Sequence, residues 1–156
     1  MSDDAENILI MTLDTGPVTI RLRPDLAPGH VARIKALARE GFYDGVVFHR
    51  VIPDFMAQGG DPEGTGSGGS DKPDLKAEFS AEPHVRGVCS MARLGHDVNS
   101  ANSQFFICFD DATFLDRKYT VWGEVTDGME NVDALPKGEP PARPGKIVSM
   151  RVASDA

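Results

Sequence analysis

The sequence has neither clustered positive charge nor a long apolar run. Its 24 Asp and Glu outnumber its 16 Lys and Arg, which leaves a formal net charge of −8 at pH 7. Because polyanions bind surfaces with surplus positive charge, we expect neither nucleic acid nor an anionic membrane surface as a partner. No apolar stretch approaches the roughly 20 residues that a membrane-spanning helix needs. The sequence therefore argues against both polyanion binding and a membrane span.

Cysteine is scarce, and the chain begins without a leader pattern. The two cysteines, Cys89 and Cys108, lie in apolar strand-like runs, and neither has the spacing of a metal or redox motif. We interpret them as small buried hydrophobic residues in a reducing compartment. Residues 1–6, MSDDAE, are acidic, and we expect them to be flexible. A secretory signal would need a basic start and a longer apolar segment, so the expected location is cytoplasmic.

Common nucleotide-binding, nucleophile and metal motifs are absent or incomplete. The chain has no Gly-Lys-Ser/Thr phosphate loop and no Gly-x-Ser-x-Gly motif. Residues 64–69, GTGSGG, match the dinucleotide pattern G-x-G-x-x-G, but that motif needs a helix directly after it. The residues that follow, SDKP, start a helix poorly, so a mobile surface loop is the better interpretation. The four histidines are scattered without the pairing of metal ligands, and we expect no metal site.

Hydrophobic periodicity predicts many short strands. Runs at residues 8–13 and 18–22 are joined by hairpin chemistry, and similar runs occur at 121–125 and 147–152. Between residues 42 and 122 the apolar runs are short and interrupted by Gly, Pro, Asn and Asp. This pattern favours a mainly β protein with a closed or sandwiched antiparallel sheet.

One clear helix and one weak helical turn accompany these strands. Pro28 can occupy a first helical turn, and apolar residues from 31 to 38 recur at helical spacing until Gly41 ends the helix. A weaker turn is predicted near residues 130–135. At 156 residues and without a linker, the whole chain, 1–156, is expected to form a single domain.

An arginine and a glutamine stand out in the apolar run at residues 48–61, FHRVIPDFMAQGGD. Arginine is rarely buried without a partner or a function, so Arg50 needs an explanation. A second run of the same character, SQFFICF, occupies residues 103–109, and together the runs predict an apolar pocket with a few polar groups. The alternative for Arg50 is a core-edge arginine in a structural ion pair with a carboxylate, for example Asp61 or Glu78.

His49 is the neighbour of Arg50 and a possible general base. Adjacent side chains of a strand point to opposite faces, so His49 and Arg50 would not share one pocket. We therefore interpret His49 as structural.

These runs resemble the cyclophilin-type peptidyl-prolyl cis-trans isomerases. The matching segments are FHRVIPxFMxQGGD at 48–61, SMA at 90–92, SQFFI at 103–107 and FLD at 114–116, and their order and spacing match from residue 8 to the C-terminus. The resemblance implies an eight-stranded antiparallel β-barrel capped by two α-helices. It also implies a cofactor-independent isomerase that accelerates rotation about X–Pro peptide bonds and assists protein folding.

The resemblance assigns roles to particular residues. Arg50 matches the catalytic arginine of the family. The implied substrate-binding residues are Phe55, Met56, Gln58, Ala92, Arg93, Gln104, Phe106, Phe114, Leu115 and Tyr119. The walls of the proline pocket match Phe55, Met56, Phe106 and Leu115. The two glutamines match groups that orient the substrate backbone, while Ala92 and the backbone of Arg93 match the edge along which the peptide lies.

Three positions depart from many eukaryotic members, which have Asn at Arg93, Trp at Phe114 and His at Tyr119. Phenylalanine keeps an apolar wall but lacks the indole N–H donor, so the resemblance implies that cyclosporin binds only weakly. Tyrosine at 119 keeps an aromatic lining with a polar tip. The stretch at 92–94 and the loop at 137–140 are similar to bacterial members.

The implied partners are proline-containing peptides and unfolded or loop segments of proteins, and a monomer is the default for a compact acidic domain. Two other functions stay open at this point. A binding module could use the same pocket to hold proline-containing segments, although it would have no need of a transition-state donor such as Arg50. A structural β domain would expose a contiguous apolar patch outside the pocket.

Overall fold

Eight antiparallel strands and two α-helices make up the part of the chain that the computed structural model describes, residues 5–155. The strands are β1 (Ile8–Leu13), β2 (Gly16–Leu22), β3 (Arg50–Ile52), β4 (Met56–Gly59), β5 (Val88–Met91), β6 (Phe105–Cys108), β7 (Val121–Asp127) and β8 (Ile147–Val152). The helices are α1 (Pro28–Arg39) and α2 (Met129–Asp133), and short 3-10 helices occupy Ala5–Asn7, Thr113–Leu115 and Ala153–Asp155.

All eight strands belong to one curled sheet, in the order β3-β4-β6-β5-β7-β2-β1-β8. Residues just before the two edge strands bring the edges together. Val47 pairs with Lys146, and the N–H of Phe48 donates to the carbonyl of Gly145 at 2.9 Å. The mainly β fold, the eight antiparallel strands and the two helices are thus confirmed. The closed curl leaves an inner face and an outer face.

Alternation along each strand decides which side chains fill the inside. In β1 every second residue is buried, and β2 alternates in the same way over its last five residues. The interior core includes the fully buried side chains Leu9, Met11, Ile20, Phe105 and Trp122. Strand β6 is buried on both faces, because its outer face lies beneath a second apolar cluster. That second cluster forms the candidate site.

Helix α1 packs against the sheet as its periodicity predicts. Its buried apolar residues are Val31, Ile34, Leu37 and Ala38. The carboxylate of Glu78 accepts the free N–H groups of Gly29 and His30 at 3.1 and 2.8 Å, which satisfies donors that the first helical turn leaves unpaired. Gly41 ends the helix with a left-handed φ of +72°, and Phe42 N–H closes back onto the carbonyl of Leu37.

The remaining helix and the chain start differ from expectation in detail. Helix α2 begins at Met129 and ends at Asp133, so it is one residue earlier and two residues shorter at its end than predicted. The flexible start predicted for residues 1–6 falls mostly on residues 1–4, which lie outside the described residues. Glu6 itself bonds Lys35 and Arg39 at 2.7 and 2.9 Å. Within residues 5–155, no helix has both the length and the apolar character that a bilayer crossing requires.

Candidate active site

A cavity of about 150 Å³ with an apolar base opens on the outer face of the barrel. It is lined by Arg50, Phe55, Met56, Gln58, Ala92, Arg93, Phe106, Leu115 and Tyr119. Its base is the second apolar cluster, in which Met56, Phe106 and Leu115 are all at least nine-tenths buried. Nine of the eleven residues that the sequence predicted therefore line one cavity.

Strand register explains how Arg50 reaches this cavity. Arg50 pairs with Gln58 across β3 and β4, and Gln58 pairs with Phe106 across β4 and β6. Side chains of directly opposed residues lie on the same face of a sheet. The three side chains therefore form one row on the outer face, with the guanidinium at the edge of the cavity and the phenyl ring on its floor.

The other two predicted residues lie beside the cavity. Gln104 stands behind Gln58, whose side-chain amide donates to it at 3.0 Å. Phe114 is 64% exposed and packs obliquely on the ring of Phe55, with centroids 5.6 Å apart. It therefore forms an outer rim rather than a wall of the cavity.

Arg50 is held at two corners of its guanidinium. Its Nε donates to Glu139 Oε1 at 3.2 Å, and its Nη1 donates to Gln58 Oε1 at 3.3 Å. The side chain is 44% exposed, so it faces the cavity mouth rather than the core. The ion pair considered from sequence is present, but its partner is Glu139. The suggested partners Asp61 and Glu78 are wrong, because both carboxylates bind other groups.

A line of amides connects Arg50 to the glycine-rich loop. Gln58 donates to Gln104, and Gln104 Nε2 in turn donates to the carbonyls of Gly66 and Gly68, each at 2.9 Å. Each glutamine thus accepts with its oxygen and donates with its nitrogen. This arrangement fixes the amide orientation of Gln58 and presents its oxygen to Arg50.

The loop itself is organised around the buried carboxylate of Asp61. Backbone N–H groups of Glu63, Thr65, Gly66 and Gly68 donate to it at 2.7–3.1 Å. Burial alone raises the pKa of this carboxyl, but the four donors outweigh that effect and lower the pKa to about 2. Residues 64–69 form a loop, as the sequence predicts, and they lack the following helix that a dinucleotide-binding motif would require. The anchoring role of Asp61 was missed, although an Asp before closely spaced glycines is a usable signal.

His49 lies on the side of the strand opposite to Arg50, as predicted. It is 8% exposed and packs near Gly66, away from the cavity. Burial lowers its pKa, with Arg50 adding to the effect and Asp61 opposing it. A neutral imidazole outside the cavity has no access to a substrate there.

Arg93 and Tyr119 close one side of the cavity. The Arg93 guanidinium lies 4.6 Å above the Tyr119 ring and donates to the carbonyl of Lys118 at 2.8 Å. Tyr119 meets Phe106 edge to face, with centroids 5.6 Å apart. A second cavity of about 490 Å³ adjoins this side and shares Gln58, Ala92 and Arg93 with the first. The two cavities form one groove.

Beneath the floor lies a group of three polar side chains, of which His84 and Ser90 are buried and Asp116 is partly exposed. His84 stacks on Phe106 with centroids 6.1 Å apart, and its ring nitrogens contact Ser90 Oγ at 3.0 Å and Asp116 Oδ1 at 3.1 Å. Ser90 and His84 are fully buried, and neither lines a cavity. Although the residue types match a nucleophilic triad, no substrate can reach this serine, and the group braces Phe106 instead.

The cysteines and the acidic groups point to no further chemistry. Burial raises the pKa of both thiols, that of Cys108 to about 12, so both stay protonated and unreactive at neutral pH. Their interpretation as buried hydrophobic residues is confirmed by the structure. Among residues 5–155, no three His, Cys, Asp or Glu side chains are grouped to hold a metal ion.

Comparison with known proteins identifies the family. The family model described as cyclophilin type peptidyl-prolyl cis-trans isomerase/CLD matches residues 8–152. A probable peptidyl-prolyl cis-trans isomerase of Brucella suis is 51% identical over 168 residues, which is 97% of this chain and 85% of the relative. Peptidyl-prolyl cis-trans isomerase B of Bacillus subtilis is 44% identical over 128 residues, which is 81% of this chain and 87% of that protein.

Solved structures agree with these sequence relationships. The cyclophilin AquaCyp293 of Hirschia baltica superposes with a TM-score of 0.90 at 34% identity, covering 98% of this chain and 76% of that one. A cyclophilin type isomerase of Cryptosporidium parvum, crystallised in the presence of the dipeptide Ala-Pro, superposes with a TM-score of 0.87 at 28% identity, over 93% and 98% of the two chains. The chain therefore belongs to the cyclophilin-type peptidyl-prolyl cis-trans isomerases, enzymes that need no cofactor.

Proposed function

We propose that the cavity holds the proline of an X–Pro segment and that Arg50 is the catalytic residue. The observation that carries this proposal is the single row of Arg50, Gln58 and Phe106 across three paired strands. That row places a cationic donor, an amide and an aromatic floor along one side of a cavity large enough for a small ring.

The size of the barrier sets what the site must supply. Rotation about an amide costs about 18–20 kcal/mol, because resonance gives the C–N bond partial double-bond character. Uncatalysed X–Pro exchange takes tens to hundreds of seconds. Turnover near a millisecond requires about five decades of acceleration, or roughly 7 kcal/mol of stabilisation specific to the transition state.

The apolar walls supply one part of this stabilisation. A planar amide is more polar than a twisted one, so a cavity built from Phe55, Met56, Phe106 and Leu115 disfavours the planar ground state relative to the transition state. These side chains are packed against one another in one cluster and do not need to reorganise during the reaction.

Arg50 supplies the second part. In the twisted amide the proline nitrogen becomes pyramidal and regains a lone pair, which a guanidinium N–H can approach as a donor. This contact exists mainly at the transition state, which is the condition for catalysis. A charged donor contributes about 1.5–3 kcal/mol, and more when the bound peptide excludes water. Among the described residues, Arg50 Nη2 has no hydrogen-bond partner and is free to make this contact.

The proposed substrates are proline-containing peptides and unfolded or loop segments of proteins. Support comes from the Cryptosporidium parvum relative that was crystallised in the presence of Ala-Pro. Gln58, Gln104 and the backbone near Arg93 border the groove and would anchor the flanking peptide groups while the other side of the bond rotates. Phe114, in place of a tryptophan, offers no N–H donor at the rim, so we propose that cyclosporin binds only weakly.

Several broader features belong to the same proposal. The chain acts as one isomerase domain over residues 1–156, as a cytoplasmic monomer. The surplus of 24 acidic over 16 basic residues is consistent with the absence of nucleic acid and membranes among its partners.

The test is NMR exchange spectroscopy on an Ala-Pro peptide with substoichiometric protein. Wild type is expected to accelerate cis-trans exchange catalytically, whereas a protein that only binds would not turn over. Arg50→Ala should lower kcat/KM at least about a hundredfold with the fold intact, and Arg50→Lys should also lose much activity because the planar fork is lost. Arg151→Ala, at an exposed arginine that lines neither cavity, serves as the control. Near-wild-type exchange by Arg50→Ala would remove Arg50 from the mechanism.

A further inference from the structure

The loop that follows α2 reaches the catalytic row, although no motif places it there. Strand β3 is an edge strand of the sheet, and Gly138 pairs with Val51 along its free hydrogen-bonding edge. The N–H of Val51 donates to the carbonyl of Gly138, and the N–H of Gly138 donates back, both at 2.8 Å. This reciprocal pair fixes the loop directly beside Arg50.

Three further features hold this loop in place. Lys137 Nζ donates to the carbonyls of Asp133 and Leu135 at 2.6 and 2.8 Å. Pro141 is buried. Gly138 has a φ of +145°, and a Cβ at that position would lie 2.6 Å from Pro141 Cα, so the tight approach requires glycine. The backbone of Glu139, between the glycine and the prolines, is therefore held from both sides.

The consequence is a carboxylate aimed at the catalytic guanidinium. Glu139 Oε1 accepts from Arg50 Nε at 3.2 Å, while Gln58 accepts from Nη1 at 3.3 Å. Two contacts to different nitrogens define the plane of the guanidinium, which one contact alone would leave free to rotate. The Nη2 group is then the part of Arg50 that stays available to a substrate.

We propose that Glu139 is a positioning residue that orients Arg50 for catalysis through the Nε contact. The proposal rests on the role of Arg50 given above and adds a group that does not itself touch the reacting bond. A long, half-exposed arginine loses considerable rotamer freedom when it is fixed, and Glu139 removes part of that freedom before the substrate arrives. The effect therefore belongs to kcat rather than to KM.

The expected size follows from the exposure of the pair. Arg50 and Glu139 side chains are 44% and 57% exposed, and ion pairs of this kind are weak and screened by solvent. We expect Glu139→Gln to lower kcat about two- to fivefold with KM nearly unchanged. Glu139→Lys should lower kcat further, because it places a like charge beside the guanidinium. Asp44→Asn, which breaks the comparable exposed pair with Arg151, is the matched control and should leave kcat unchanged.

The experiment combines kinetics with a direct signal from Arg50. In ¹⁵N spectra, the Nε–H resonance of Arg50, identified by its loss in Arg50→Lys, should move upfield in Glu139→Gln and stay in place in Asp44→Asn. Adding Glu139→Gln to Arg50→Ala should change the residual activity no further, because the proposed route passes through the guanidinium.

The outcomes distinguish a failure of the positioning role of Glu139 from a failure of the catalytic role of Arg50. The positioning role is overturned if kcat and the Nε–H signal are unchanged in both Glu139 variants. It is also overturned if Glu139→Gln lowers activity by the same factor in the Arg50→Ala background as in wild type. If Arg50→Ala itself keeps wild-type turnover, the proposed catalytic role of Arg50 fails and Glu139 has nothing to position. If Arg50→Ala is inactive but Glu139→Gln keeps the wild-type kcat, only the positioning role of Glu139 is rejected.

Discussion

Replacing Asp61 by asparagine tests the hydrogen-bonded support of the whole catalytic row. The carboxylate accepts N–H groups from Glu63, Thr65, Gly66 and Gly68, and it is fully buried. An asparagine side chain keeps the shape but turns one acceptor into an NH₂ donor that faces other donors. The loop carbonyls that hold Gln104 would then lose their support.

The magnitude follows from the pKa of the group. The donors lower the pKa of Asp61 from 3.8 to about 2, despite the opposing effect of burial. Each pKa unit corresponds to about 1.4 kcal/mol, so ionised Asp61 stabilises the fold by about 2 kcal/mol at pH 7. Asp61→Asn should remove at least that amount, which lowers the Tm of a domain of this size by about 4–8 °C.

The sign of the pH dependence provides an independent check. Because the pKa is lower in the folded state, the stabilisation is complete above the unfolded pKa near 4 and disappears as the pH falls through about 2. The difference in unfolding free energy between wild type and Asp61→Asn should therefore fall by more than half between pH 6 and pH 2.5. Taking this difference cancels titrations that the two proteins share.

Urea unfolding of both proteins across this pH range measures the effect, with Asp71→Asn as the control. Asp71 lies on the same loop with an exposed side chain. Equal stability of wild type and Asp61→Asn at pH 7 would refute the reasoning, and so would a difference that stays constant down to pH 2.5. A drop in isomerase activity below the melting transition is expected to accompany the loss of stability, because Gln58 and Arg50 depend on this loop.

Two predictions concern the floor and the rim of the cavity. Phe106→Ala removes the floor on which His84 and Tyr119 pack, so it should weaken binding of an Ala-Pro peptide about tenfold or more in an NMR titration. Phe79→Ala, on the exposed surface, should leave the affinity unchanged. An unchanged affinity in Phe106→Ala would mean that the peptide binds elsewhere. Phe114→Trp adds an N–H donor at an exposed rim position, so calorimetry should show tighter cyclosporin binding with little change in protein stability. An unchanged or weaker affinity would contradict the role given to this position.

The cavity was predictable from sequence only in part. The residues that line it lie in the two apolar runs and in the segments around them, and period-2 alternation correctly separated Arg50 from His49. Their roles came from the family resemblance rather than from the pattern. Composition and periodicity alone reached no further than a mainly β domain with an apolar pocket.

The groups that support the cavity could not be predicted in the same way. Asp61 bonds a loop within seven residues, so its signal was local and was overlooked. Glu139 meets Arg50 across 89 positions of the chain, and Gln58 meets Gln104 across 46. No local pattern marks such pairs, because they depend on how distant segments are brought together.

The sequence by itself determined the strand and helix periodicities, the amphipathic helix α1 with its glycine stop, and the family to which the chain belongs. These features depend on neighbouring residues, whose spacing alone decides which side chains share a face. Only the tertiary structure decided that Arg50, Gln58 and Phe106 form one row and that Glu139 completes it. The physical reason is register: burial of the apolar face and the geometry of the connecting turns set which residues stand opposite one another, and these pairings exist only in the folded sheet.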